Sequence, residues 1–387
     1  MAGDPVERVV AREYPEARDG IFLNTASWGL LPRSSAREAA ELTLRRNRPL
    51  GFYEREFGPI QRRCRRALAS LVGGGEDEIA LVPNTTYGVG LAAALVAAGE
   101  PGTVVTTAGE FPANVLPWKA LEVRGFSVRL VPTDAKGLPV EDALVEALDA
   151  PDVRALSLSA VQYATGYRAD LARLGGECRA RGILFCVDAI QALGAVPLHP
   201  REAGIDVLAS GGQKWLLGAW GSGFAWIARE LHERFPPPLP SWLGVEGGAR
   251  LGGDAAYELD GVPGARRFEV ATLGYQDFLA LGRSVEILLE IGVDAIERYL
   301  HSLHEPVLDW TDRSADVEPV TPRDARRRAG IVTFRHPRLE AARRGLDAAG
   351  VVYAMRDGAL RLAPHIYNTA VEMEEVVRVL ERARRKG

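Results

Sequence analysis

From residue 79 to 228 the chain repeats one pattern, a short apolar run followed by a stretch of helical periodicity. Candidate strands run over 79–82, 103–107, 127–131, 153–159, 183–187, 207–210 and 223–228. Helical patterns at 87–98, 113–124, 140–148 and 170–181 lie between most of them. Neighbouring parallel strands need a crossover between them, and a helix is the usual one; continuous apolar runs are what a strand covered on both faces requires. The pattern predicts an α/β fold with a mostly parallel sheet between helices.

The remainder is organised differently. With 387 residues the chain exceeds what one core usually serves, so two domains are expected. A proline- and glycine-rich break at 235–264 leads into helical patterns at 272–291 and 293–308. Strands at 331–335, 351–355 and 359–362 then mix with helices at 339–349 and 369–385, a smaller α+β unit. The expected division is an N-terminal segment, 1–20, on the small domain, a large domain, 21–264, and a small C-terminal domain, 265–387. A net charge of −4 offers no field for nucleic acid, and the longest apolar run, 91–98, is too short to cross a bilayer. The opening MAGDPVERVV lacks the basic start and apolar stretch of a signal peptide, and the three cysteines and six histidines show no metal-ligand spacing. A cytoplasmic protein without a metal is the expectation.

Chemistry concentrates where predicted strands end. In DVLASGGQKWLLG, Lys214 follows a buried run and a Gly211-Gly212 turn and precedes Trp215-Leu216-Leu217. Desolvation there disfavours the ammonium and leaves a nucleophilic amine able to condense with an aldehyde such as pyridoxal phosphate. A lysine snorkelling out of the loop is the plain alternative. Asp188 closes the run 183–187, where a carboxylate needs a partner, either a pyridine nitrogen or an ordinary cap or ion pair. Thr85 and Thr86 open a helix after a strand, a place that receives phosphate or is merely capped. Phe111 follows another strand end and can stack on a flat ring or pack in the core. Arg361 alternates with apolar neighbours in a tail strand, as a carboxylate clamp or a surface arginine would.

These pieces, in this order from about Asn24 to Tyr367, resemble the class V aminotransferase branch of the fold type I pyridoxal-phosphate enzymes. Cysteine desulfurases, kynureninase and isopenicillin N epimerase-like proteins belong to the same branch. The resemblance implies pyridoxal 5′-phosphate, with Lys214 as the Schiff-base lysine, Asp188 as the pyridinium partner, Gln191 at the ring oxygen and Phe111 on the ring. It implies Thr85 and Thr86 at the phosphate, with Ser210 and Gln213 as further donors. It makes Arg361 the substrate-carboxylate arginine, Asn24, Ala26 and Ser27 an entrance segment, and Gln162 and Tyr163 the lining of the substrate space. The segment 267–272, ending in Thr272, resembles the part that reaches the partner subunit's cofactor phosphate, which implies a homodimer with shared sites.

Two departures restrict the reaction. No cysteine follows Cys186, so the mobile sulfur acceptor of a desulfurase is missing, and Phe111 stands where those enzymes stack a histidine. The expectation is an aminotransferase acting on an amino acid or related primary amine. A β-lyase (C–S or C–C) and an amino-acid epimerase share the first half of the route and stay as alternatives. A nicotinamide oxidoreductase lacks its GxGxxG turn, and an idle scaffold would have lost the Lys214 and Asp188 pair.

Overall fold

The computed structural model describes residues 5–17, 19–235, 237–248 and 259–385, so the expected connection 235–264 lies partly outside the described residues. A two-residue strand, β1 (Ile21–Phe22), comes first. Seven strands then form the main sheet: β2 (Ile79–Val82), β3 (Thr103–Thr107), β4 (Ser127–Val131), β5 (Val153–Ser159), β6 (Leu184–Asp188), β7 (Val207–Gly211) and β8 (Gly223–Ile227). Their spatial order is β2-β8-β7-β6-β5-β3-β4, parallel from β7 through β4, with β8 antiparallel to both of its neighbours. The antiparallel return has a simple cause: residues 212–222 contain no helix, so β8 comes back without a crossover. Every residue of β2, β3, β7 and β8 is buried, whereas edge strand β4 is largely exposed.

Helix boundaries follow local chemistry. Asn84 caps the helix Thr85–Val96 by accepting the Tyr87 amide at 2.9 Å. A side chain on Gly88 would place its Cβ 2.7 Å from that of Ala209, so this glycine lets the helix lie close on β7. The expected helix 113–124 is instead three short pieces, Pro112–Asn114, Leu116–Lys119 and Ala120–Arg124. Pro117, with no amide hydrogen, cannot carry one α-helical ladder through that stretch. The expected helix at 272 begins at Tyr275, because Thr272 takes a left-handed conformation (φ 60°) and stops propagation.

The C-terminal part holds a four-stranded antiparallel sheet, built from β9 (Glu318–Pro319), β10 (Val332–Arg335), β12 (Ala354–Arg356) and β13 (Ala359–Leu362) in the order β12-β13-β10-β9. The run expected as one strand at 351–355 serves two sheets. Its first half, β11 (Val351–Val352), pairs in parallel with β1. Its second half forms a hairpin with β13 across Asp357 (φ 50°) and Gly358 (φ 76°), the pair of positive φ angles that a tight two-residue turn requires. Helix Pro5–Glu13 sends Arg12 onto Glu290 in helix Tyr275–Ile291, which in turn packs on helix Phe57–Val72. Segment 265–270 is fastened to β2 by Glu269, which accepts the Leu81 amide at 2.8 Å and buried Arg65 at 2.6 Å. Among the described residues no helix is long and apolar enough to cross a membrane, and no group of metal-ligating side chains converges.

Candidate active site

Parallel strands share a carboxyl edge, and ligands of open α/β sheets bind outside it. Here β6 ends on Asp188, β7 runs through Gly211 into Lys214, β3 runs into Glu110 and Phe111, and β5 runs into Gln162 and Tyr163. Four neighbouring strands therefore deliver a carboxylate, an amine and two aromatic rings to one crevice. The Lys214 amine lies 5.6 Å from the centre of the Phe111 ring and makes no hydrogen bond among the described residues. Burial pushes it down to about 8, opposed by the Asp188 charge and assisted by Arg361 and Arg356. Asp188 is 3% exposed and accepts one hydrogen bond, from the Ile190 amide at 2.9 Å. Burial raises its carboxyl to about 6, with the Ile190 amide and Lys214 pulling the other way. Each group is a desolvated ion without an adequate partner, the condition that makes a site reactive rather than structural.

One wall of the crevice suits phosphate. The Asn84-capped helix points its N-terminus there, with Thr85 buried and Thr86 exposed. The Thr85 hydroxyl accepts the Gly211 amide at 2.8 Å. Gly211 keeps this corner open, since a Cβ on it would sit 2.4 Å from the Gln213 amide oxygen and 3.2 Å from the Thr85 hydroxyl. Ser210 is buried beside it and turns its hydroxyl to the Gly211 carbonyl at 3.1 Å. An unpaired acid, an unpaired amine, an aromatic face and an open, donor-rich helix start fit the nitrogen, aldehyde, ring and phosphate of pyridoxal phosphate.

Held to the Tyr163 backbone is Arg361, 1% exposed and bonded only to neutral oxygens: the Tyr163 carbonyl at 2.7 Å, the Ser27 hydroxyl at 2.9 Å and the Asn24 side chain at 3.3 Å. Burial lowers this guanidinium to about 9, with Arg356 adding to the effect and Tyr163 opposing it. Ser27 also donates to Asn24 at 2.8 Å, so the entrance residues and the arginine form one cluster. Ala26 contributes its carbonyl to Gln191 at 2.9 Å, while the Gln191 carbonyl accepts the Trp215 indole at 2.7 Å. Gln191 thus ties the entrance segment to the residue after Lys214. Gln162 is occupied as well: its carbonyl takes the Ala164 and Thr165 amides, both at 2.7 Å, and its amide donates to Gly109 at 2.8 Å. Tyr163 meets Phe111 edge-on at 5.3 Å.

The profile of the family described as Aminotransferase class-V matches residues 47–379. The chain belongs to the class V aminotransferases. That family depends on pyridoxal 5′-phosphate and supplies aminotransferase, desulfurase, epimerase and kynureninase relatives. The chain is 29% identical to an uncharacterized aminotransferase, YcbU, of Bacillus subtilis, over 81% of each. It is 30% identical to the isopenicillin N epimerase of Streptomyces clavuligerus, covering 93% of this chain and 94% of the relative. In fold it is similar to the apo cysteine desulfurase of Thermococcus onnurineus, with a TM-score of 0.85, 97% coverage of both chains and 24% identity.

Class V membership frames the remaining residues. All three cysteines, Cys64, Cys178 and Cys186, are buried, and burial raises each thiol. Thr272 is exposed on the left-handed turn after Glu269 and is not among the groups that converge on Lys214. His365 is a packing residue: its Nδ1 accepts the Ile366 amide at 2.7 Å, its Nε2 faces the Trp215 carbonyl, and burial lowers it to about 4. Two groups near the crevice escaped the sequence reading. Glu110 is buried, accepts the Ser159 amide at 2.7 Å and hydroxyl at 2.5 Å, and is pushed up to about 7 by burial. Arg356, on β12, acts electrostatically on both Lys214 and Arg361. Its placement could have been found from Asp357-Gly358, a hairpin signature that pairs 356 with 359 and so assigns its face.

Proposed function

We propose that this chain is a pyridoxal-phosphate-dependent aminotransferase acting on an amino acid. The observation that carries the reading is Lys214, an amine lowered to about 8 and without a hydrogen bond, beside Phe111 and within the field of buried Asp188. When bound, the cofactor supplies the aldehyde that captures amines and a ring that stores negative charge. The chain's residues do the rest. Asp188 holds a proton on the ring nitrogen, Phe111 covers the ring, and Thr85, Thr86, Ser210 and Gln213 receive the phosphate. Thr272 completes the partner subunit's site in a homodimer. Arg361 binds the substrate carboxylate in two parallel bonds, with Asn24 and Ser27 orienting the guanidinium. Ala26, Gln191, Gln162 and Tyr163 shape the space around it. Lys214 Nζ would take up the α-proton and release it, on the same face, not at the α-carbon but at the carbon that carries the bound cofactor's aldehyde.

Phe111 cannot carry a proton, which supports transfer managed by Lys214 alone over epimerisation, which needs a second base on the opposite face. The absence of any cysteine after Cys186 weighs against a desulfurase. The test is a single turnover of loaded protein with a panel of amino acids. One equivalent of keto acid per site, with pyridoxamine phosphate recovered after denaturation, is the expected result. Pyruvate with a released thiol or amine, and the aldehyde cofactor intact, would assign a lyase. Loss of α-deuterium alone would assign an epimerase. Borohydride treatment should fix the cofactor to Lys214.

A further inference from the structure

The β12–β13 hairpin holds two arginines on one face. Ala354 lies opposite Arg361, and Arg356 lies opposite Ala359, so Arg356 is two residues along from the partner of Arg361. Side chains alternate along a strand, which places both arginines on the same side as diagonal neighbours, about 7–8 Å apart. Arg356 is partly buried, its Nη1 donates to the Met355 carbonyl at 2.6 Å, and it has no ion pair among the described residues. Asp357, next in sequence, is exposed at the turn and does not pair with it. On the same sheet Arg335 is matched by Glu318 at 3.2 Å. Three cationic side chains, Lys214, Arg356 and Arg361, therefore bear on one another, and the acid among them, Asp188, belongs to the cofactor side. A cluster of like charges with neutral partners is incomplete without anions.

We propose that Arg356 is a specificity residue that binds a second anionic group at the far end of the substrate, so that the preferred substrate is an amino acid with an acidic side chain. The proposal rests on the reading of Arg361 as the α-carboxylate site. The α-carboxylate takes Arg361, the amine meets the cofactor next to Lys214, and a short carbon chain carries the second acid back to Arg356 on the same hairpin face.

The experiment compares each acid with its isosteric amide. Loaded wild-type protein, R356Q and R356K are titrated with L-glutamate against L-glutamine and L-aspartate against L-asparagine, following cofactor absorbance. In parallel, glutarate and valerate are titrated by calorimetry, which needs no reaction with the cofactor. In wild type an acid should bind at least about 10-fold more tightly than its amide, in line with a charge-assisted hydrogen bond. R356Q should weaken acids about 10- to 100-fold and leave amides within about 3-fold, and R356K should recover part of the loss. Equal binding of acid and amide in wild type, or equal weakening of both in R356Q, overturns the proposal. Absorbance that never responds, with glutarate still preferred over valerate and that preference lost in R356Q, would remove the Lys214 reading and leave the Arg356 pocket standing.

Discussion

Two buried arginines of this protein are treated in opposite ways. Arg65, 4% exposed, is bonded at 2.6 Å to Glu269, which also takes a backbone amide of β2. Arg361, 1% exposed, is surrounded by a carbonyl, a hydroxyl and an amide oxygen, with no carboxylate. The same division holds for acids: Glu269 has a guanidinium, and Asp188 has one backbone amide. Behind β2 the charges complete each other and hold a segment in place. In the crevice they are left open, and under the proposed function the missing counter-charges are those of the cofactor and the substrate.

The largest expected effect comes from breaking the closed pair. E269Q strands Arg65 in the interior and should lower the unfolding free energy by about 3–5 kcal/mol in urea melts of the cofactor-free protein. If it costs less than about 1 kcal/mol, the pair behind β2 is not the fastening described. The matching change at the open site should do the reverse. R361Q strands no carboxylate, so stability should stay within about 1 kcal/mol, while kcat/KM should fall about 100-fold or more as the charge-assisted clamp is lost. A large loss of stability with unchanged kinetics would make Arg361 structural and erase the contrast. The third effect is the most discriminating in sign. Burial raises the Asp188 carboxyl from 3.8 to about 6, so the folded chain keeps a proton that the unfolded chain has released. Between those values stability falls as pH rises, and the deficit, at most about 3 kcal/mol, persists above pH 6. D188N keeps an acceptor for the Ile190 amide and removes the ionisation. It should therefore stabilise the cofactor-free protein at pH 7 by about 1–3 kcal/mol, with no advantage at pH 3, while abolishing turnover of the loaded enzyme. Melts at both pH values read the difference directly.

Much of this was legible in the amino-acid order because strand ends announce themselves. The apolar runs before Asp188 and Lys214 set two strands side by side, and the carboxyl edge of a parallel sheet brings their ends together. Asn84-Thr85-Thr86 was readable as a helix start for the same local reason. What escaped depends on pairing across distance. The one local sign that β8 runs backwards is the helix-free stretch 212–222, since an apolar strand by itself reads alike in both directions. The division of 351–355 between two sheets depends on β1, some 330 positions earlier by number (351 against 21). Gln191 and Gln162 look alike as polar residues near the crevice. Only their partners, the Trp215 indole and the 162–165 loop amides, show how much of each side chain is already engaged. Arg356 is the exception, since Asp357-Gly358 announces a hairpin pairing 356 with 359 and so fixes its register with Arg361 locally.

The bond from Arg361 to Asn24 spans 337 positions along the chain. A ribosome making this protein N-terminus first therefore finishes the whole seven-stranded sheet, Lys214 and Asp188 included, before the Arg361 to Asn24 bond can form. On the proposed reading, a chain that has emerged through Lys214 but not yet through Arg361 has the amine and the acid without the carboxylate clamp, so the two halves of the crevice are completed in sequence.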